Sequence, residues 1–142
     1  MKTENPASIR DSQVSPPGQA ENLKLTLEAH PYGGAVVLHC SGRLIFHGKA
    51  NALSATIGEI LPTARRMILD LAGVESVDSA GLGELVLLHM WAEAAGYSLK
   101  FASPNKFVRQ LLELTNLVSV FDVYSSVPEA VAATRHEELR LA

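Results

Sequence analysis

Asp78 and Ser79 stand where a strand pattern changes into a helix pattern, and they have the clearest capacity for chemistry in this sequence. The short apolar run Met67–Leu71 is typical of a buried strand, and a segment with helical apolar spacing begins after Ser79. The first N–H groups of a helix have no intrahelical acceptor, and they favour negative charge. A phosphate on the Ser79 hydroxyl would therefore be well placed at this junction.

The plainest interpretation of the same residues is a helix cap, because serine is a favoured N-cap residue that contributes about 1 kcal/mol. A cap alone does not explain Gly81 and Gly83 in the first helical turn, since each glycine costs a helix about 0.8–1 kcal/mol relative to alanine. The two glycines indicate that a backbone or a ligand approaches closely, or that a positive φ is needed. They do not identify a ligand.

Motifs of nucleotide-binding proteins and hydrolases match poorly around Ser79. Gly81-Leu82-Gly83 begins like a dinucleotide-binding loop, but Val86 stands where the third glycine belongs and no fitting acid follows. The P-loop sequence G-K-[ST] does not occur, and Val77 stands where a G-x-S-x-G elbow needs its first glycine. A Ser-His-acid triad stays open because the chain has five histidines, although nothing supports one.

Residue types that bind metals are scattered along the chain. The five histidines contain no i,i+4 pair, and Cys40 is the single cysteine, so the sequence predicts no metal site and implies no cofactor. We expect His89 to be a packed, hydrogen-bonded histidine on an apolar helix face. We expect Cys40 to be a small buried residue of a strand.

Composition limits the class of protein. The 142 residues, 47% apolar and 19% charged, suit one globular domain with a core. The net charge of −3, without a basic stripe, argues against nucleic-acid binding. A single cysteine favours a reducing compartment, and neither a signal peptide nor an apolar run long enough to span a bilayer is visible. We therefore expect a cytoplasmic protein without direct membrane insertion.

The elements that must position Ser79 follow from alternating strand and helix patterns. We predict a disordered tail over residues 1–22, one α/β domain over 23–138 and a C-terminal tail over 139–142. The domain should hold five strands and four helices, with an N-terminal hairpin that turns at Pro31–Gly34 and partly parallel pairing after it. The predicted strands are Leu23–Glu28, Ala35–Leu44, Met67–Leu71, Tyr97–Ala102 and Val120–Tyr124.

Each of the four predicted helices begins or ends at a residue typical of helix termini. Pro62 should end the first helix, and Gly96 should be the C-terminal cap of the second. Ser103, followed by Pro104, should be the N-cap of the third, and Ser126-x-x-Glu129 has the form of a capping box that opens the fourth. The predicted helices run from about 49 to 62, 80 to 95, 104 to 115 and 127 to 138.

Two consecutive segments resemble the signature of STAS domains, specifically that of bacterial anti-sigma factor antagonists. They are Ile68–Val74 and Val77–Gly83, which give a strand followed by Asp-Ser-x-Gly-Leu-Gly. The resemblance extends over roughly residues 23–133 and implies a single STAS-like domain with a mixed sheet of about five strands and about four helices. The supporting matches are Gly42, Leu44, Lys100-Phe101, Leu111-Leu112, Thr115-Asn116-Leu117, Val120-Phe121 and Ser126-x-x-Glu129-Ala130.

The resemblance implies a binding protein without catalysis of its own. In that family the serine after the Asp accepts a phosphate, which here is Ser79. The unphosphorylated protein binds an anti-sigma factor that is also a serine kinase, and the sigma factor is released. The kinase then phosphorylates the serine, the complex separates, and a PP2C-type phosphatase removes the phosphate. The implied partner-binding residues are Arg43, Phe46, His47, Asp78, Ser79, Ala80, Gly81, Leu82 and Gly83.

One segment departs from the family pattern. Members often carry Gly-Glu-Leu-Asp after the second strand, whereas this chain has Gly42-Arg43-Leu44-Ile45 and neither acid. Arg43 would instead be able to neutralise a phosphate or to contact an acidic partner. The departure favours an alternative function, a non-phosphorylated STAS adaptor subunit of a stressosome-like complex or a lipid ABC transporter. A third function, an enzyme that binds a nucleotide or another small molecule, rests on the glycine turn alone.

Overall fold

A mixed sheet with the strand order β1-β2-β3-β4-β5 lies at the centre of the fold. The computed structural model describes residues 25–45 and 52–141. β1 pairs antiparallel with β2, and the other three pairings are parallel. The predicted α/β class and mixed five-stranded sheet are confirmed. The strands are β1 (Leu25–Tyr32), β2 (Ala35–Leu44), β3 (Arg66–Val77), β4 (Ser98–Ala102) and β5 (Val123–Tyr124).

Four α-helices cover the two faces of this sheet. They are α1 (Ala52–Ala64), α2 (Ser79–Ala95), α3 (Lys106–Leu114) and α4 (Val127–Leu141). The larger core cluster joins α1, α2 and α3 to one face of the sheet, and a smaller cluster joins α4 to the other. Parallel strands added in one direction place their crossover helices on one face, which leaves the opposite face for α4. The smaller cluster consists of Ala35, Val37, Ile68, Ala102, Ala130 and Val131.

The N-terminal hairpin is confirmed, with a shorter turn than we predicted. Gly33 and Gly34 alone form the turn, and both have positive φ angles, 58° and 89°. Pro31 and Tyr32 belong to β1, where Tyr32 pairs with Ala35. Glycine takes up these two positive φ angles without steric cost, so the turn needs no further residues.

β3 is longer than the predicted Met67–Leu71, because it continues to Val77 and so leads directly to Asp78. The sequence obscured this extension, since the added residues include Gly73 and several exposed positions. The pairing of β2 with β3 also changes register in this region. A Cβ on Gly73 would lie 2.9 Å from the carbonyl oxygen of Cys40, so the irregular pairing requires glycine there.

Two helix termini differ from the prediction. α1 does not end at Pro62 but continues to Ala64, and it ends at Arg65, whose positive φ of 70° breaks the helix while its N–H donates to the Leu61 carbonyl at 2.6 Å. The N-cap of α3 is Asn105, not Ser103, because the Asn105 side chain accepts from the Val108 N–H at 2.7 Å.

The last two elements also differ in length from the prediction. β5 contains only Val123 and Tyr124, and a 3₁₀ turn over Leu117–Ser119 precedes it. The predicted N-terminal box of α4 is confirmed in part, because the Ser126 hydroxyl accepts from the Glu129 N–H at 3.2 Å. α4 continues to Leu141, so residues 139–141, predicted as a tail, are helical. The predicted tail over residues 1–22 lies outside the described residues.

No helix in the described ranges is both long enough and apolar enough to cross a membrane.

Candidate functional site at the start of α2

The junction between β3 and α2 is built around the side chain of Asp78. Asp78 has extended backbone angles (φ −94°, ψ −179°), and its carboxylate oxygen Oδ1 accepts from the Gly81 N–H at 2.7 Å. Asp78 is therefore the N-cap of α2, and the interpretation of Ser79 as the capping residue is wrong. A carboxylate at this position satisfies an otherwise unpaired N–H and interacts favourably with the positive end of the helix dipole.

Ser79 is the first residue of α2, and its side chain is exposed. Because Asp78 provides the cap, the Ser79 hydroxyl is not needed to satisfy the first turn. It lies at the end of a central strand of the sheet, where the backbone is fixed by β3 on one side and by the helix on the other. The arrangement presents one hydroxyl to solvent on a rigid support.

Gly81 is required by packing, which agrees with the prediction that a backbone approaches this glycine turn closely. A Cβ at this position would overlap the carbonyl oxygen of Leu44 at the end of β2. The same carbonyl accepts from the Asp78 N–H at 3.3 Å, so the start of α2 rests directly on β2. Gly81 is buried. This burial argues against direct contact between Gly81 and a partner, and its function in the fold is to allow this close approach.

Gly83 has a different environment, because a Cβ there would meet no atom within 4 Å. The residue is exposed on the outer side of α2, and packing within the described residues does not require glycine at this position. Neither Gly81 nor Gly83 has a positive φ angle. The two glycines of the motif therefore have separate explanations, a buried contact for one and an open surface for the other.

A mainly apolar groove of about 540 Å³ runs from this junction between α2 and α3. It starts at Asp78 and Ser79, so the exposed hydroxyl lies at one end of an apolar surface. Such a groove is able to receive an apolar side chain of a docking protein. The remaining lining residues are Val77, Leu82, Gly83, Val86, Leu111, Thr115 and Leu117.

The other three predicted contact residues lie at the end of β2 or beyond it. Arg43 is opposite Ser76 in the pairing of β2 with β3. The Arg43 Nε atom is buried and has no hydrogen-bond partner in the described part of the chain. Successive strand side chains point to opposite faces, so Arg43 is expected to project away from the face that carries Leu44 and α2. Phe46 and His47 lie outside the described residues.

Glu84 is a residue of this region that the sequence analysis missed. Its side chain is buried, and Oε2 accepts from both the backbone N–H of Ser54 at 3.1 Å and the Ser54 hydroxyl at 2.8 Å. Because Ser54 is in the first turn of α1, Glu84 supplies a carboxylate to that helix terminus and joins α1 to α2. A glutamate among apolar residues of a helix was the available signal.

A second missed residue is Lys100, a lysine of β4 whose side chain is almost fully buried. Its Nζ donates to Glu137 at 2.7 Å and to Asp122 at 3.3 Å. Burial alone lowers the pKa of Lys100, but the hydrogen bond to Glu137 and the negative charge of Asp122 outweigh it and raise that pKa above its usual 10.5. The ion pairs join β4 to α4, so Lys100 supports the fold.

The remaining chemical candidates are separate from Ser79. Burial, together with the nearby charge of Asp70, raises the pKa of the Cys40 thiol to about 12, which makes it unreactive at neutral pH. The ring of His89 packs 5.3 Å from that of Phe121, as expected for a packed histidine. His39 on β2 and Asp70 on β3 are in contact, with 2.6 Å between His39 Nδ1 and Asp70 Oδ2. Within residues 25–45 and 52–141, no three His, Cys, Asp or Glu side chains are grouped to hold a metal ion.

Comparison with known proteins gives a consistent family. Residues 26–130 match the family model of the STAS domain. A Thermotoga maritima protein assigned as an anti-sigma factor antagonist is 33% identical over 72 residues, which cover 51% of this chain and 64% of that protein. The match thus spans slightly less than two thirds of the relative's length.

Two solved structures have the same fold. A Thermotoga maritima protein assigned as an anti-sigma factor antagonist is similar with a TM-score of 0.70 and 26% identity, over 77% of this chain and 94% of that one. An anti-sigma factor antagonist from Mycobacterium paratuberculosis gives a TM-score of 0.68 and 24% identity, over 86% of this chain and 99% of that one. The second likeness concerns the fold alone.

Proposed function

Because the chain belongs to the STAS domain family, we propose that it is a cytoplasmic anti-sigma factor antagonist controlled by phosphorylation of Ser79. In its unphosphorylated form it binds an anti-sigma factor that has serine kinase activity, and a sigma factor is released. The kinase phosphorylates Ser79 and the complex separates. A PP2C-type phosphatase then restores the binding form. The chain itself contributes no catalysis.

The observation that carries this proposal is the exposed hydroxyl of Ser79 at the first position of α2. Asp78 supplies the cap, so a kinase is able to modify Ser79 without removing the hydrogen bond that starts the helix. The nearby N–H groups and the helix dipole favour an anionic group at this end of α2. We therefore expect the fold to accommodate both phosphorylated and unphosphorylated Ser79.

Phosphorylation would change the charge of the docking surface more than its shape. A phosphate adds about −1.5 to −2 charges at pH 7, next to the carboxylate of Asp78. The neighbouring groove is mainly apolar, and a partner surface that covers it would have to exclude water from the new charge. The cost of desolvating the phosphate, which the carboxylate of Asp78 increases once water is excluded, accounts for release of the partner.

We propose a docking surface that contains Ser79, Ala80, Leu82 and Gly83 with the adjoining groove. Ala80 and Gly83 are exposed and small, so the partner backbone is able to approach α2 closely. Arg43, Phe46 and His47 remain proposed as a separate group of partner contacts, in which Arg43, on the side of β2 away from α2, would pair with an acidic group of the partner. Gly81 contributes only by positioning α2 on β2.

Binding of the anti-sigma factor to Ser79 variants tests the proposal. Ser79→Ala should bind with an affinity close to that of the original chain, whereas Ser79→Asp should bind at least tenfold more weakly in isothermal titration calorimetry. Ser125→Asp is a matched control, because Ser125 is also exposed and also lies next to a helix start. Equal affinities for Ser79→Asp and Ser125→Asp would contradict a switch at Ser79.

A second candidate is a non-phosphorylated STAS adaptor in a larger assembly. The observation that favours it is Arg43-Leu44-Ile45 at the end of β2, which lacks both acids of the family pattern that the sequence otherwise resembles. In that case a pull-down with this chain would recover a stressosome-like complex or the subunits of a lipid transporter. The binding to them would be the same before and after incubation with kinase and ATP.

A further inference from the structure

α2 is apolar on the side that faces solvent as well as on the side that faces the core. Leu85, Leu88 and Ala92 are buried against the sheet. On the opposite side Leu87 is 68% exposed and Met90 is 58% exposed. Although Glu93 is exposed on the same helix, an apolar stripe of this kind is typical of an interaction surface. The outer stripe of α2 is formed by Ala80, Gly83, Leu87, Met90, Trp91 and Ala94.

We propose that this outer stripe binds a second copy of the same chain. Two α2 helices pack antiparallel about a two-fold axis that passes beside Leu87, so that Leu87 of one copy meets Leu87 of the other. The two-fold axis requires residues equally far before and after Leu87 to lie opposite each other. Gly83 and Trp91, each four positions from Leu87, therefore lie opposite each other across the interface.

The sizes of these side chains match in that register. Gly83 has open space where a Cβ would stand, and a hollow of about 500 Å³ surrounds it. The hollow is lined by α2 residues together with Ser54 of α1, and its volume is sufficient for an indole ring. Ala80 and Ala94, each seven positions from Leu87, also lie opposite each other. The largest side chain of the stripe thus faces the smallest, and the two alanines face one another.

Trp91 is held in position before association. Its ring meets that of Tyr97 edge to face, with centroids 5.5 Å apart. The guanidinium of Arg65 in turn lies 5.7 Å from the centre of the Tyr97 ring. An aromatic side chain that is already ordered loses little conformational entropy on binding, which is typical of the residues that contribute most to interfaces.

The charge distribution favours a second copy over a charged partner. None of the six outer-stripe residues carries a charge, and the one carboxylate that lines the hollow, Glu84, is bonded to Ser54. An apolar stripe without charges is complementary to itself. A single helix pair about 25 Å long is a small contact compared with the roughly 1,600 Å² of a standard interface, so we expect a weak dimer that depends on concentration.

The dimer would compete with the docking that we propose above, because both cover Ala80 and Gly83. This relation depends on the proposed function, whereas the dimer does not. Self-association would keep part of the protein from the anti-sigma factor at high concentration.

Cross-linking of a Leu87→Cys variant tests the two-fold contact in the full chain. Cys40 is buried and its pKa is raised to about 12, so the native thiol should not react with a short bismaleimide. The control is Leu139→Cys, since Leu139 is 76% exposed on α4. We expect at least tenfold more covalent dimer from the Cys at position 87 than from the control, and equal yields would overturn the proposal.

Sedimentation equilibrium of the full chain tests the contact between Gly83 and Trp91. Gly83→Leu should weaken association at least tenfold without lowering the unfolding temperature, because among the described residues no atom beyond the neighbouring backbone of α2 lies within 4 Å of the new Cβ. Trp91→Ala should weaken association to a similar extent. Leu114→Ala, at an 85% exposed position of α3, should leave association unchanged. A chain that stays monomeric at 1 mM, or a Gly83→Leu variant that associates normally, would overturn the proposal.

Discussion

At the scale of single residues, neighbouring positions of the candidate site have different functions. Asp78 caps α2, Ser79 is left exposed, and Gly81 lets the helix rest on the carbonyl of Leu44. The sequence predicted an important glycine turn but did not separate its parts. The distinction comes from the end of β2, which is more than 30 residues away in the chain and reaches Gly81 only in the folded state.

Alanine at Gly81 and alanine at Gly83 should have opposite effects on stability. Gly81→Ala should lower the free energy of unfolding by about 1–3 kcal/mol, because its methyl group would overlap the Leu44 backbone. Gly83→Ala should raise it by about 0.5–1 kcal/mol through better helix propensity. Urea denaturation measures both values. Equal effects at the two positions would contradict the assignment of the close contact to Gly81.

The cap at Asp78 makes a second prediction at this scale. Asp78→Ala should lower the free energy of unfolding by about 1 kcal/mol, since it removes the acceptor for the Gly81 N–H. Asp78→Asn is the matched variant and should retain most of the stability, because asparagine is an N-cap of similar strength. Thermal or urea unfolding would distinguish them. A cap role is wrong if the Asn variant is as unstable as the Ala variant.

At the scale of elements, the type of each segment was predictable and several boundaries were not. Apolar periodicity correctly indicated the strands and helices that carry the core. The continuation of α1 past Pro62, the cap at Asn105 and the extension of β3 to Val77 depend on contacts with neighbouring elements. Asn105, for example, also donates to the Val74 carbonyl at 3.0 Å, which fixes α3 on β3. Such a contact has no local sequence signal.

The attachment of α4 to β4 through Lys100 gives the prediction at this scale. Lys100→Met should lower the free energy of unfolding at pH 7 by about 1.5–3 kcal/mol, the usual contribution of hydrogen bonds to charged groups. The pKa of Lys100 in the folded chain is above its ordinary 10.5, so its contribution is complete below that pH and is lost as the pH rises through the folded pKa.

Urea denaturation of the two chains at pH 7 and above pH 11 measures this dependence. The stability difference between the original chain and Lys100→Met should be smaller at the higher pH. Glu113→Gln, an exposed residue paired with Arg109 within α3, is a control that should change stability by less than about 0.5 kcal/mol. A difference that is constant from pH 7 to above pH 11 would contradict the ion-pair role of Lys100.

At the scale of the whole molecule, the fold leaves the start of α2 accessible while it buries the rest of that helix's inner face. α1 and α3 belong with α2 to the larger core cluster, and α4 closes the opposite side of the sheet. The α/β class and the STAS family were accessible from sequence because the strand-Asp-Ser-x-Gly-Leu-Gly motif occurs in the expected order of elements. The exposed outer side of α2 was not accessible in the same way, since Met90 and Trp91 fitted either the core or the helix surface.

Mapping of the phosphate after incubation with an anti-sigma factor kinase and ATP tests the central claim most directly. Mass spectrometry of the digested chain should place a single phosphate on Ser79, and the Ser79→Ala variant should accept none. A phosphate on another residue, or undiminished incorporation into Ser79→Ala, would contradict the account.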